Sequence, residues 1–176
     1  MKSILKGITL ILLVFCLAVS SVSCGADSTL DENGNQLYSE FGFFYRLPID
    51  MDKKSVPYAS ILHSNTEATF MMTHLDKEGL EENEIDPDIK ITRYADKFIL
   101  LNHYDGTEYN YDEESGKVDF FVEKTFEEEE ETVLYYHVLL RNEYVVYIVT
   151  MHCDISLKDK YAPIFSEWGS YIYVAE

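Results

Sequence analysis

The sequence has few of the residues that cross-link, break or loosen a chain. Its 176 residues include 3 Cys, 4 Pro, 8 Gly and 1 Trp. So few cysteines exclude a disulfide-rich mini-protein, and so little Gly and Pro exclude a collagen-like or low-complexity chain. Basic residues are also scarce, 14 against 32 acidic ones, which gives a net charge of −18. Because such a chain repels phosphate backbones, the composition argues against nucleic-acid binding.

Residues 1–23 have the pattern of an export signal. Lys2 and Lys6 give it a positive start, and residues 8–19 are almost wholly apolar. That apolar run is shorter than the roughly 20 residues that a membrane-spanning helix needs. Directly after Cys24 the sequence turns polar. We therefore expect residues 1–23 to be removed during export.

The junction before Cys24 resembles a bacterial lipoprotein signal, in which a small residue precedes a cysteine that is lipidated and becomes the mature N-terminus. Val22 and Ser23 suit that pattern, whereas Ser21 stands where the family usually has an aliphatic residue. The resemblance implies acylation of Cys24, for example with palmitate, and a lipid anchor in a membrane of the bacterial cell envelope. The alternative is an ordinary secretory signal and a secreted protein.

The rest of the chain divides into a linker and one domain. Residues 24–40 are polar and show little hydrophobic periodicity, which predicts a flexible tether. Residues 41–175 predict a single α+β domain: an antiparallel sheet with helices packed on its faces. The predicted strands are residues 41–48, 58–63, 68–74, 107–111, 117–125, 132–141, 144–152 and 171–174.

Two helices are predicted to cover the sheet. Asp86 and Pro87 are typical of an N-cap and a first helical residue, ahead of an apolar stripe that runs to Leu101. A second stripe lies near the C-terminus and predicts a regular helix over residues 163–168, ended by Gly169 in a left-handed conformation. Residues 77–84 are highly charged and predict a helical or irregular surface segment.

The two most strand-like runs, residues 132–141 and 144–152, predict a hairpin at the centre of the sheet. A two-residue turn at Asn142 and Glu143 would place Arg141 opposite Tyr144. One face of this hairpin is then wholly apolar or aromatic, and the other is mixed but still largely apolar. We therefore expect both faces to be at least partly covered.

The element order is similar to that of the PsbP/Mog-type fold. The residues that carry this resemblance are the opening Gly42-Phe43-Phe44-Tyr45-Arg46-Leu47-Pro48 run, the helix near residues 91–101, the long hairpin, and the closing Cys153-Asp154-Ile155 to Tyr161-Ala162-Pro163-Ile164-Phe165-Ser166 segment. Members include photosystem subunits, a GTPase regulator and bacterial envelope lipoproteins. The resemblance implies a non-catalytic binding or scaffolding module, but functions differ across the fold.

Residues that commonly carry catalysis do not form a recognisable motif. There is no Gly-x-Ser-x-Gly elbow, phosphate loop, dinucleotide fingerprint or His-Glu-x-x-His, so we expect neither enzymatic activity nor a cofactor. The predicted register separates His137 from His152 by four residues, roughly 14 Å, too far to share a metal ion. Cys153 points away from His152 and is expected to fill the core. The alternative is an envelope enzyme that uses paired carboxylates, for instance on glycans.

Acidic turns and tyrosines suggest where a partner would bind. The clusters Asp112-Glu113-Glu114 and Glu127 to Glu131 lie in predicted hairpin connections, where solvated charge is the ordinary role and weak cation binding the alternative. Tyr109 and Tyr111 alternate with polar residues and would share one strand face, suited to a contact surface. We expect an unidentified protein or other cationic partner there, in addition to the membrane at the lipid anchor.

Overall fold

A computed structural model describes residues 30–175, which form two antiparallel sheets with helices packed on them. The expected signal and Cys24 lie outside these residues. In chain order the elements are β1 Asn35–Glu40, β2 Phe43–Pro48, β3 Asp52–Lys54, β4 Ile61–Ser64, β5 Ala68–Asp76, α1 Lys77–Glu82, α2 Ile91–Leu101, β6 Asn110–Asp112, β7 Lys117–Phe126, β8 Glu131–Arg141, β9 Val145–Asp154, a 3₁₀ turn Ile155–Leu157, α3 Lys158–Ser170 and β10 Tyr173–Val174. The predicted α+β class is confirmed. None of the helices in residues 30–175 has the length and apolar character needed to cross a bilayer.

The predicted tether is too long at its C-terminal end, because ordered structure begins well before residue 41. Residues 35–40 form β1, which pairs with β2 along its whole length. Ahead of it the Asp31 carboxylate accepts hydrogen bonds from the backbone N–H groups of Asn33 and Asn35, at 2.9 and 2.8 Å. Polar side chains therefore build a turn here, and main-chain pairing replaces the hydrophobic alternation that the sequence lacks.

The larger sheet has seven strands in the order β3-β4-β5-β9-β8-β7-β6, so the predicted β8–β9 hairpin lies at its centre. The predicted register is wrong by two residues, since Arg141 pairs with Val146 rather than with Tyr144. The Asn142 side-chain oxygen accepts the N–H groups of Tyr144 and Val145, which moves the turn one residue along the chain. A shift of two residues keeps every side chain on its predicted face.

The first face of the large sheet carries the main core. Helix α3 and the small sheet β1-β2-β10 cover it, as the apolar face of the hairpin predicted. Its centre consists of fully buried aromatic and aliphatic side chains contributed by both sheets and the helix: Phe43, Tyr45, Leu47, Phe70, Met72, Leu134, Val149, Met151 and Phe165.

Helix α3 differs from its prediction at both ends. It starts at Lys158, five residues before the predicted start, and contains Pro163 in its interior. The loss of one backbone hydrogen bond at Pro163 is tolerated there. Gly169 is helical rather than left-handed, because the helix continues to Ser170. A Cβ atom on Gly169 would lie 2.7 Å from Cε1 of Tyr136 on β8. Glycine is thus required for the close approach of helix and sheet, not for a turn.

The second face is covered over one part only. Helices α1 and α2 and the loop between them pack on the ends of β7, β8 and β9 nearest the β8–β9 turn. The residues that form this second cluster are Leu80, Ile85, Ile89, Ile91, Tyr94, Ala95, Tyr104, Val118, Phe120, Leu139 and Val146. Leu101, predicted to extend the apolar stripe of α2, is 70% exposed.

Helix α2 begins at Ile91 and not at Asp86 as the sequence predicted. The Asp86 carboxylate accepts the N–H of Asp88 and closes a turn instead of capping a helix. The Arg141 guanidinium donates to the carbonyls of Pro87, at 2.6 Å, and Ile89, and so fixes the segment ahead of the helix. Lys90, directly before the helix, has an extended backbone and makes no side-chain cap.

Candidate functional site

The uncovered part of the second face forms a groove, which we call the open groove. It consists of two adjoining cavities of about 500 and 290 Å³ that share Met71, Tyr135 and Thr150. The larger cavity is also lined by Lys54, Val56, Tyr58, Leu62, Ser64, Thr69 and His152. The smaller is also lined by Thr73, Phe98, Asn102, Tyr104, Lys124, His137 and Ile148.

Strand register explains why these residues lie together. Successive partners across the sheet place Leu62, Met71, Thr150 and His137 in one row. Two residues along the strands, Ser64, Thr69, His152 and Tyr135 form the next row in the same way. Because side chains two apart on a strand point to the same side, both rows face the open groove. Their neighbours Phe70, Met72, Val149 and Met151 point into the main core.

His137 is the most unusual residue of the open groove. It is 2% exposed, and its ring lies between those of Phe98, Tyr104, Phe120 and Tyr135, with centroids 5.1 to 5.9 Å away. Burial in this apolar surrounding, aided by the nearby His152, lowers the pKa of His137 to about 3. The imidazole is therefore neutral at physiological pH. It is a hydrogen-bonding group and carries no charge.

The hydrogen bonds of His137 are incomplete. Its Nδ1 atom lies 3.1 Å from Oγ1 of Thr150, whereas its Nε2 atom is buried and has no partner. In residues 30–175 one other buried side-chain polar atom lacks a partner, Oγ of Ser64. Both residues line the open groove. An unpaired buried polar atom costs roughly 1–3 kcal/mol, so two of them in one groove indicate a place where a water or a ligand supplies the missing partner.

The charge of the open groove is opposite to that of the whole chain. No Asp or Glu lines either cavity, whereas Lys54 and Lys124 do. Neither lysine makes an ion pair with any carboxylate in residues 30–175. Lys124 is half-buried, and its ammonium nitrogen lies 5.3 Å from the ring centre of Tyr104 and 5.7 Å from that of Phe126. These cation–π contacts hold the ammonium in place at the groove.

His63 and His152 do not belong to a metal site in the described part of the chain. His63 is fully buried, but its Nε2 lies 2.9 Å from the Tyr45 hydroxyl and its Nδ1 lies 3.2 Å from the Met51 carbonyl oxygen. Burial lowers its pKa. The observed register brings His137 and His152 within two residues along the strands, roughly 7 Å instead of the predicted 14 Å. Even so, residues 30–175 contain no cluster of three or more potential metal ligands.

Cys153 lies where the sequence predicted. It is buried in the main core, on the opposite face from His152, and burial raises the pKa of its thiol to about 11. A protonated thiol separated from the imidazole by the sheet has no general base, so these two residues do not form a nucleophilic pair.

The acidic clusters lie in exposed turns. Residues 112–114 and 127–130 connect neighbouring strands, and all of them are solvent-exposed. A third cavity, of about 620 Å³, lies beside the part of β7 that has no outer partner strand, and Asp105 and Glu123 line it. Both carboxylates are exposed, and Glu123 is paired with Lys158. A paired-carboxylate enzyme needs one buried acid whose pKa is raised, and no carboxylate of the described residues is buried.

The two tyrosines proposed as a contact surface have different environments. The Tyr109 ring packs at the margin of the second cluster, and its hydroxyl donates to Oδ1 of Asp96, at 3.2 Å, and lies 3.4 Å from the Thr92 carbonyl oxygen. Tyr111 is 45% exposed beside the acidic turn. Tyr111 is therefore available to a partner, whereas Tyr109 has a structural role.

The open groove is absent from the sequence-based prediction. A signal for it exists in the polar residues that alternate with core residues along the central strands, such as Thr69, Thr73 and Thr150. Their alternation predicts a sheet face that is partly exposed to solvent. It does not show how much of that face α2 covers, and the open groove is the part that α2 leaves uncovered.

Comparisons with known proteins bear on the fold. The chain is similar to the solution structure of cyanobacterial PsbP (CyanoP) from Synechocystis sp. PCC 6803, with a TM-score of 0.56 and 12% identity over 89% of this chain and 99% of that one. It is also similar to a point mutant of the protein Mog1, with a TM-score of 0.53 and 11% identity over 81% and 96% of the two chains. A Bacteroides thetaiotaomicron structure matches with a TM-score of 0.50 and 12% identity, over 77% of this chain and 46% of that one.

These similarities extend over most of the chain and show that it has the PsbP/Mog-type fold, as the element order predicted. No family model matches the sequence. No curated protein matches it either. At identities of 11–12% the likeness concerns the backbone architecture and transfers no functional residue.

Proposed function

We propose that the chain is a membrane-tethered, non-catalytic binding module of the bacterial cell envelope, and that the open groove is its binding site. The observation that carries the proposal is the pair of buried, unpartnered polar atoms, His137 Nε2 and Ser64 Oγ, in one groove. Ligand sites characteristically combine an apolar lining with a few polar groups placed for recognition. The open groove has both.

Binding suits the chemistry of the groove better than catalysis does. Acid–base catalysis requires a group that exchanges protons near neutral pH, and the His137 pKa of about 3 keeps that imidazole neutral. Nucleophilic catalysis requires a nucleophile beside a base, yet Ser64 Oγ has no hydrogen-bond partner in residues 30–175. The His137 imidazole and the Ser64 hydroxyl are therefore suited to hydrogen bonding with a ligand that is bound and released without a chemical change.

The tether is inferred from the sequence. Cys24 stands at the change from apolar to polar residues, in a context that resembles a lipoprotein signal. Leu30 is the sixth residue after Cys24, and a chain of that length spans at most roughly 20 Å. A lipid on Cys24 would therefore keep the domain close to the membrane, while the excess of acidic residues, all of which lie after Cys24, opposes flat contact with anionic head groups. Without the lipid the same domain would be secreted.

A cationic protein partner would bind at a second location, the acidic β6–β7 turn. Tyr111 lies there beside residues 112–114, so a partner with basic residues would meet both negative charge and an exposed aromatic ring. The open groove, with its unpaired lysines, does not suit such a partner.

The tether is tested by the variant Cys24→Ala. We expect the wild-type chain to fractionate with membranes and to carry acyl mass on an N-terminal Cys24, and we expect Cys24→Ala to lose both properties. Cys16→Ala is the matched control, because it removes a cysteine from the same signal without touching the acceptor. Unmodified mature wild-type protein in the soluble fraction would refute the anchor.

The binding site is tested by photocrosslinking in native membranes. A benzophenone side chain replaces one exposed tyrosine at a time: Tyr58 at the rim of the open groove, Tyr111 at the acidic turn, or Tyr144 at the β8–β9 turn as the control. Adducts at Tyr58 and not at Tyr144 are expected if the groove binds. Equal labelling at all three positions would refute a defined site.

A further inference from the structure

The charge and geometry of the open groove indicate which class of ligand it takes, an inference that rests on the binding function proposed above. We infer that the open groove binds a small organic anion, whose acidic group meets Lys124 and whose aromatic or apolar body lies over Tyr135 and Met71.

The positive charge of the open groove favours an anionic ligand. The chain carries 32 acidic and 14 basic residues, yet two lysines and no acidic residue line the groove. Seven other basic side chains in residues 30–175 make ion pairs, among them the neighbouring Lys53, which pairs with Glu40. Since no Asp or Glu lines the groove, an acidic group entering it meets positive charge alone.

Lys124 is better suited than Lys54 to bind the acidic group directly. Its stem is half-buried and its ammonium is held over the rings of Tyr104 and Phe126, so little side-chain entropy is lost when it binds. Lys54 is exposed at the far rim of the groove. We therefore expect it to act at longer range, by attracting the anion, and to contribute less to affinity.

The body of the ligand is indicated by the floor of the groove. Met71, Tyr135 and Thr150 are common to both cavities, so a ligand bound at Lys124 continues over them into the larger cavity. Tyr135 lies parallel to His137, with an angle of 5° between the rings, and presents an aromatic side chain to both cavities. A flat or apolar body fits this floor.

The test uses two probes of the same shape, the anion 2-naphthoate and its uncharged analogue 2-naphthamide. Binding is measured by equilibrium dialysis of the full chain in phosphatidylcholine nanodiscs, with empty nanodiscs subtracted. We expect 2-naphthoate to bind about tenfold more tightly than 2-naphthamide, the size of one hydrogen bond to a charged group. Lys124→Gln should abolish that difference, and Lys54→Gln should reduce it about two- to threefold.

Two further variants separate recognition from structure. Lys97→Gln removes an exposed lysine on α2 outside the groove and should leave both affinities unchanged. Ser64→Ala removes an unpaired buried hydroxyl on β4, four strands from Lys124, so it should keep or raise stability and leave the affinity for 2-naphthoate unchanged. If it weakens the binding of 2-naphthoate as much as Lys124→Gln does, the acidic group is not held at Lys124.

The remaining outcomes distinguish this inference from the binding function on which it rests. Equal affinity for 2-naphthoate and 2-naphthamide, lost in a Tyr135→Ala variant, would overturn the preference for an anion and leave a groove that binds neutral ligands. Absence of any binding by either probe, together with absence of Tyr58 adducts in membranes, would overturn both.

Discussion

Replacing Gly169 with alanine tests how closely α3 packs against the sheet. In most helices this change is stabilising, since alanine is about 1 kcal/mol more favourable than glycine in a helix interior. Here the new Cβ would lie 2.7 Å from Cε1 and 2.9 Å from the hydroxyl oxygen of Tyr136. Real Cβ contacts are not that short, so the ring or the helix has to move.

The Tyr136 ring has little room to move. It is 4% exposed and stacks on Phe121 with 4.4 Å between ring centres. The helix end is also fixed, because the Lys117 ammonium donates to the carbonyls of Gly169, Ser170 and Ile172 at 3.3 to 3.4 Å. Overpacking a filled site costs about 1–3 kcal/mol. Against the gain in helix propensity, we expect Gly169→Ala to lower the free energy of unfolding by up to about 2 kcal/mol.

Urea unfolding followed by far-UV circular dichroism measures this effect, with Gly79→Ala as the matched control. Gly79 also lies in a helix, but its Cβ would have no neighbour closer than 3.4 Å. That variant should be neutral or stabilising by up to about 1 kcal/mol. In a Tyr136→Leu background, Gly169→Ala should lose its cost, as expected for two residues in contact. If Gly169→Ala is as stable as Gly79→Ala, the close approach does not exist.

Three further predictions concern the core and its titration. Trp168→Ala should cost about 3–5 kcal/mol, because the ring is 4% exposed in the main core; a loss under about 1 kcal/mol in urea titration would show that α3 does not cover the sheet. Arg141→Gln should cost about 1.5–3 kcal/mol by removing charged donors from the Pro87 and Ile89 carbonyls, and accelerated amide exchange in α1 and α2 should accompany it. The pKa of His137 is about 3 in the folded state and 6.5 in the unfolded state, so between these pH values only the unfolded state binds the proton. The free energy of unfolding should therefore fall by about 1.4 kcal/mol per pH unit as the pH drops from 6.5 toward 3. His137→Phe should flatten this slope by one proton, and an unchanged slope would contradict the burial of that imidazole.

The period-two alternation of apolar residues predicted correctly which face of the sheet each side chain lies on. The β8–β9 hairpin was placed two residues out of register, yet every residue kept its face, since side chains alternate with a period of two. The slip arose from the Asn142 side chain, which accepts two N–H groups in the turn. Such local hydrogen bonding has no counterpart in hydrophobic spacing. The same limitation explains Asp86, which closes a turn although its position before Pro87 is typical of a helix start.

The candidate site was beyond sequence reasoning for a geometric reason. Ser64 on β4 and His137 on β8 are far apart in the chain, and they line one groove only because β5 and β9 lie between their strands in the observed order. The two-residue register error also doubled the expected distance between His137 and His152. Cys153, in contrast, was placed correctly, because alternation along one strand was enough to assign it to the core.

The small sheet also constrains the order in which the chain folds. Its middle strand β2 pairs with β1 on one side and with β10 on the other, so Phe43 is joined to Val174 near the opposite end of the chain. Such long-range pairing carries a large loop-closure entropy and slows folding. During synthesis, β2 and the aromatic residues it contributes to the core remain without their second partner strand until β10 has emerged. The chain is therefore expected to depend on chaperones while it is incomplete, and loss of its last few residues should trap an aggregation-prone intermediate.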